Sequence, residues 1–324
     1  MTHRSIPCRG PVRVLTLGLF VGLSPLLASC SDGGEAAVPA EAFPAPVMEA
    51  PEMRADLPED QQRVWEAFQV AMTRGIDERI TLLERLINEY GDVPFRAEML
   101  AAAASNLNIR GRIDEAAERY RELLELRPES DAALEAANYL RELHRSRNEM
   151  EAVRNYSGKM LELVEEIARE EPERLDRDLG FMTVECLSDL DRLEEARAAC
   201  ERIKKVASAD STDLRGSKAS VYLVQLLRRS GAYEEALREI HGLLALVKEQ
   251  DRSGGLTLER APAPTFDTTV AEIVEEWVKK GGRDELISLS REIDPATLVR
   301  DKDAKARIEA ALGRNMKGAT SPGR

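Results

Sequence analysis

The chain has 324 residues, 43% apolar and 32% charged, enough apolar content to fold and too much length for one small core. Aromatic residues make up only 4%, and the Ala, Leu, Glu and Arg that dominate favour helices over a β-sandwich or barrel. A formal charge of −13 argues against a nucleic-acid role, because binding to phosphate backbones needs a basic face.

Residues 1–29 carry Arg4, Arg9 and Arg13 and no acid, followed by an apolar stretch from Val14 to Leu27. A helix crossing a bilayer needs roughly 20 apolar residues, so this shorter stretch reads as the core of a signal peptide. It ends in Leu27-Ala28-Ser29-Cys30, which resembles the lipobox of bacterial lipoproteins. That resemblance implies cleavage before Cys30, lipid on its sulfur and attachment to a membrane on the periplasmic side. Ser31 is what outer-membrane lipoproteins of the enterobacterial type carry there, although Asp32 lies one place later. Cleavage leaves 43 basic against 59 acidic residues, a net charge of −16. Anionic headgroups repel such a body, so the lipid has to supply the membrane affinity. Residues 30–60 are rich in Ala, Pro and Glu, with prolines at 39, 44, 46, 51 and 58, and read as an extended tether.

From 61 to about 250 the pattern is helical and repeats. After Gly111, apolar and small residues fall at Ile113, Ala116, Ala117, Tyr120, Leu123 and Leu124. After Gly231 they fall at the same offsets, at Tyr233, Ala236, Leu237, Ile240, Leu243 and Leu244. A third unit matches through Leu193, Ala196, Cys200 and Ile203. Steps of three and four keep each set on one helical face. Glycine permits the left-handed turn between two helices, the alanines let helices cross closely, Tyr120 and Ile240 fill the gap to the next hairpin, and Pro128 stops the helix. This resembles the tetratricopeptide repeat (TPR), on the match at Gly111, Ala116, Tyr120 and Pro128. The resemblance implies an all-α, TPR-like superhelical array of antiparallel helix hairpins that binds peptides or protein surfaces along the first helices. Leu100 and Ser220 replace the family's large aromatic residue on the first helix. Two units are degenerate: one after Gly75, with Arg79 where alanine belongs, and one from Asp131 to about Arg169 whose second helix starts near Met150. Five hairpins are expected. A linker over 251–267, C-terminal capping helices over 268–313 and a frayed tail over 314–324 complete the chain.

Chemistry is sparse. His144 and His241 stand in no metal-ligand spacing, and no phosphate-cradling glycine loop or nucleophile elbow occurs. Neither an enzyme activity nor a cofactor nor a metal is expected. Glu162, Glu165, Glu166 and Glu170 share one face opposite Val164 and Ile167, the pattern of a solvated surface. Cys186 and Cys200 fall on the two helices of one hairpin and are either a disulfide or two small buried thiols. Opposite the packing rows of two first helices lie Arg141 and Arg145, and Arg228 and Arg229. They suit an acidic peptide or a C-terminal carboxylate in the groove, or they merely complement helix dipoles. The leading reading is a lipid-anchored scaffold for protein–protein interaction. A helical substrate-binding or enzymatic lipoprotein and a self-association module are the alternatives.

Overall fold

The computed structural model describes residues 57–126, 131–176, 178–207, 215–252 and 263–314. Cys30 and the signal and tether segments before residue 57 lie outside the described residues, as do Pro128, most of the expected linker, and the tail from 315. Among the described residues there are thirteen α-helices and no strand, an all-α, TPR-like array. Five helix pairs follow in order. They are α1 (Glu59–Met72) with α2 (Ile76–Glu89), α3 (Arg96–Ile109) with α4 (Ile113–Leu126), α5 (Asp131–Ser146) with α6 (Met150–Glu170), α7 (Leu179–Asp189) with α8 (Leu193–Ala207), and α9 (Arg215–Ser230) with α10 (Tyr233–Arg252). The chain ends in α11 (Ala263–Lys279), α12 (Arg283–Leu289) and α13 (Lys302–Ala311). The 21 residues of α6 absorb the extra spacing of the third unit. Helix α11 begins inside the stretch read as linker, with Pro264 in its first turn, where a missing N–H costs nothing.

One turn chemistry recurs. Gly111, Asn148, Asp191, Gly231 and Gly281 all have positive φ, between 59° and 92°. In each case the next residue's N–H returns to a carbonyl five positions back. Arg112 bonds to Leu107 O at 2.9 Å, Glu149 to His144 O at 2.9 Å and Arg192 to Leu187 O at 2.9 Å. Ala232 bonds to Leu227 O at 2.8 Å and Gly282 to Trp277 O at 3.0 Å. This closure caps one helix and reverses the chain into the next; asparagine and aspartate tolerate the left-handed region better than other side-chain-bearing residues. Two acids then open the following helix at Asp114-Glu115, Glu194-Glu195 and Glu234-Glu235, against the positive end of its dipole.

The described chain falls into two compact units divided after Ala116. In the first, α2 packs on α1 and on α3. Trp65, Phe68 and Phe95 cluster with ring centroids 4.9–6.3 Å apart, Trp65 edge-on to Phe95. Arg79, where the repeat pattern wants alanine, bonds instead to Arg74 O at 2.9 Å and Asn106 Oδ1 at 3.3 Å. In the second unit a continuous core runs from Ala133 on α5 to Leu312 beyond α13. Ala196 and Ala236 are fully buried. Tyr233 meets Trp277 at 6.2 Å, joining α10 to α11. The buried carboxylate of Asp267 accepts from the N–H groups of Arg300 (2.9 Å) and Asp301 (3.1 Å), and Asp301 in turn caps α13 at Ala304 N (2.8 Å).

Gly180 sets how closely α7 meets the 3-10 turn Pro172–Asp176. A Cβ there would stand 2.5 Å from Leu175 O and 3.1 Å from Ile203 Cδ1. Alanine ordinarily adds about 1 kcal/mol of helix stability over glycine. Displacing a backbone carbonyl costs about 1–3 kcal/mol, so Gly180→Ala should lower the thermal midpoint. An unchanged or raised midpoint would show that the approach is looser than this.

Candidate functional site

In the second unit the first helices of successive pairs are parallel, because their side chains bond at nearly constant offsets. Arg141 reaches Glu185 Oε2 at 2.6 Å, 44 positions ahead, and Arg145 reaches Asp189 Oδ2 at 2.6 Å, also 44 ahead. Between α7 and α9 the offsets are 37 and 41: Tyr222 donates to Glu185, and Arg229 donates to the hydroxyl of Ser188. From α9 to α11, Arg228 bridges Glu272 and Glu276. Four helices thus carry one ladder of charged and polar bonds along a shared face.

This corrects the expectation that the four arginines line an open groove. Arg141 is only 1% exposed. Its guanidinium also holds Glu142 Oε1 at 2.6 Å and Cys186 Sγ at 3.4 Å. Arg145 also pairs with Glu142 at 3.3 Å. Arg229 is the most exposed of the four, yet bonds Ser188 O at 3.0 Å and Asp191 at 3.1 Å. Three of them join the first helices of neighbouring pairs, and Arg228 joins α9 to α11. Bonds of this kind fix the register of neighbouring helices more than they add net stability, because desolvation offsets most of the attraction.

Burial pushes the Glu185 carboxyl up, but Arg141, the Tyr222 hydroxyl and Lys218 outweigh it and hold it below the usual carboxylate range. Lys218, one turn before Tyr222 on α9, has no hydrogen-bond partner for its buried Nζ among the described residues. Its ammonium lies 4.2 Å from the centroid of Phe181 and 5.8 Å from that of Tyr222. Burial pulls its pKa down to about 8, against the opposing pull of Glu185. Neither Phe181, Glu185, Tyr222 nor Lys218 was singled out from sequence. The spacing of Lys218 and Tyr222, four apart on one helix, was the available signal.

The candidate disulfide is not formed: Cys186 and Cys200 are both free and buried. Cys186 turns toward Arg141 and Met160 Sδ (3.9 Å), while burial raises the two thiols to about 11 and about 12. Such thiols are poor nucleophiles. His144 stacks on Tyr156 at 5.4 Å and bonds to Glu149, and His241 is exposed. Glu162, Glu165 and Glu170 are exposed. Among the described residues no three His, Cys, Asp or Glu side chains are grouped to hold a metal. A cleft of about 410 Å³ floored by Leu161, Val164 and Leu187 has arginines at its rim. Two of them, Arg192 and Arg202, already pair with Glu195 and Asp176. No described helix is long and apolar enough to cross a membrane.

No family model and no curated protein matches the chain. Among solved structures, it is similar to a Podosopora anserina protein described as kinesin light chain nearly identical TPR-like repeats. That match has 16% identity and a TM-score of 0.44, over 60% of this chain and 100% of the other. It is also similar to a tetratricopeptide repeat protein from Parabacteroides merdae ATCC 43184, at 14% identity and a TM-score of 0.44, over 79% of this chain and 88% of that one.

Proposed function

We propose that this chain is a non-enzymatic scaffold, anchored by lipid on Cys30 to the periplasmic side of a bacterial outer membrane, which binds a protein or peptide partner along its first helices. The observation that carries the binding half is the shared face of α5, α7, α9 and α11. Side-chain bonds hold these helices in fixed register, and between the bonded rungs Asn138 and Gln225 are half-exposed, positions an extended partner could meet. The net charge of −13 argues against nucleic acid as that partner. The anchoring half rests on the sequence Leu27-Ala28-Ser29-Cys30 behind a short apolar core.

The two halves are tested separately. Cys30→Ala protein should accumulate as precursor and take up no radiolabelled palmitate; labelling equal to the parent's would remove the anchor. For the scaffold, photocrosslinking side chains are placed at Asn138 on α5 and Gln225 on α9, with Glu162 on the exposed face of α6 as the comparison. The same partner should be trapped from Asn138 and Gln225 in the native host. A partner trapped from Glu162 alone would put binding on the other face.

A further inference from the structure

The second helices of the array leave one seam open. Between α8 and α10 the seam is tied by two ion pairs, Arg197 to Glu235 at 2.5 Å and Lys204 to Glu239 at 2.6 Å. Between α6 and α8 no hydrogen bond or ion pair is made among the described residues. Both pack on α7, and the cleft of about 410 Å³ lies between them. Its floor of Leu161, Val164 and Leu187 is buried and apolar, and Thr183 beside them donates its hydroxyl to Leu179 O at 2.9 Å.

The cleft has a direction. At one end the N–H of Arg192 bonds to Leu187 O at 2.9 Å, and the Arg192 guanidinium is held by both carboxylate oxygens of Glu195. At the other end Arg169 stands in the last turn of α6 and Arg202 near the end of α8. Asp176, in the turn beyond α6, draws these two ends together through Arg202 at 3.6 Å. That distance is too long for a hydrogen bond. Arg169 is exposed and makes no hydrogen bond or ion pair with another described residue. Guanidinium donors are therefore open at this end and occupied at the other.

These features select among ligands. An extended strand laid on the apolar floor would lose the bonds that its N–H and C=O groups make to water. A helix arrives with its backbone already bonded and presents only side chains. Leu161 and Arg169 are about 12 Å apart along α6, so about two turns of a second helix span the cleft. Lying parallel to α6, it places the negative end of its dipole at the two arginines.

We propose that the cleft between α6 and α8 binds an amphipathic helix of a partner protein. Its apolar stripe lies on Leu161, Val164 and Leu187, and an acidic residue in its last turn meets Arg169 and Arg202. This site is separate from the first-helix face, and neither depends on the other.

The test uses the full chain and stapled helical peptides of about 15 residues, with leucines at steps of three and four. One peptide carries Glu in its last turn, a second has Gln in its place, a third has the Glu in its first turn, and a fourth has the leucines spread round the helix. The first should bind best, and the fourth should not bind up to about 1 mM. Arg169→Glu should weaken the first peptide about fivefold and leave the Gln peptide unchanged. Ala168 is half-buried and lines the cleft, so Ala168→Phe should fill the space and remove binding of every peptide. Circular dichroism checks both variants, and Arg169→Gln or Ala168→Leu replaces one that misfolds. No binding of the first peptide overturns the proposal, as does equal binding of the first and fourth. A loss on Arg169→Glu that is the same for Glu and Gln peptides overturns the acidic contact. Dodecanoate that binds the parent but not Ala168→Phe, while the first peptide fails to bind, overturns the helix in favour of a single-chain amphiphile. Crosslinks from Asn138 and Gln225 are untouched by any of these results.

Discussion

Replacing Arg141 by Met should destabilise the second unit by about 3–5 kcal/mol, the usual cost of removing one partner from a buried ion pair. The side chain is 1% exposed and holds Glu142, Glu185 and Cys186, and Glu185 is itself 16% exposed. Methionine fills the space of the stem and leaves buried Glu185 with the Tyr222 hydroxyl and the unbonded Lys218 but without the guanidinium it pairs with. The second change Glu185→Leu should return most of the loss, because a buried pair exchanged whole for apolar residues is close to neutral. Arg63→Ala on α1, whose pair with Glu59 is 75% and 82% exposed, should change nothing measurable. Repeat arrays can unfold in parts, so urea unfolding should be followed together with amide exchange over α5, α7 and α9. A cost below about 1 kcal/mol would mean that Glu185 is solvated like a surface carboxylate.

Which parts of this were readable beforehand follows from the range of each physical signal. The hairpins were, because the turn residue and the apolar steps of three and four act within one pair: Gly111 and Gly231 mark their turns and Ile240 its buried face. Asn148 makes the same turn without glycine, so the third pair showed only a vague register until its turn at 147–149 was placed. The role of the arginines was not readable, because it depends on neighbours 44 positions away. A helical wheel puts Arg141 and Arg145 opposite Tyr139, Leu140 and Leu143, and calls that side open. Buried residues in fact surround most of α5, so the opposite side is closed by the acids of α7. The state of Cys186 stayed open for the same reason, its wheel position looking sideways onto what turns out to be Arg141 and Met160. Lys218 passed unnoticed because the groups that face it, Phe181 and Glu185, lie on another helix.

Tyr120→Ala should be the other large loss, about 3–5 kcal/mol, as for other buried aromatic residues cut back to alanine. Tyr120 lies on α4 and is 2% exposed. Its ring stands 4.5 Å from that of Tyr139 on α5, which is equally buried, so it joins the second pair of helices to the third. The equivalent position three pairs later is Ile240, fully buried on α10. Ile240 and the fully buried Cys200 at the same offset on α8 show that the place takes apolar side chains without a phenol hydroxyl, the volume being set by the neighbours of each pair. Tyr120→Leu should therefore cost much less than Tyr120→Ala, because it leaves the smaller cavity. A hydroxyl-dependent role would reverse this, with leucine as damaging as alanine. Because each element of an array contacts mainly its neighbours, the loss should fall on α4 and α5 and spare α11 to α13. Amide exchange resolved along the chain reads that directly. Uniform loss of protection from α5 to α13 would mean that the second unit unfolds as one cooperative body.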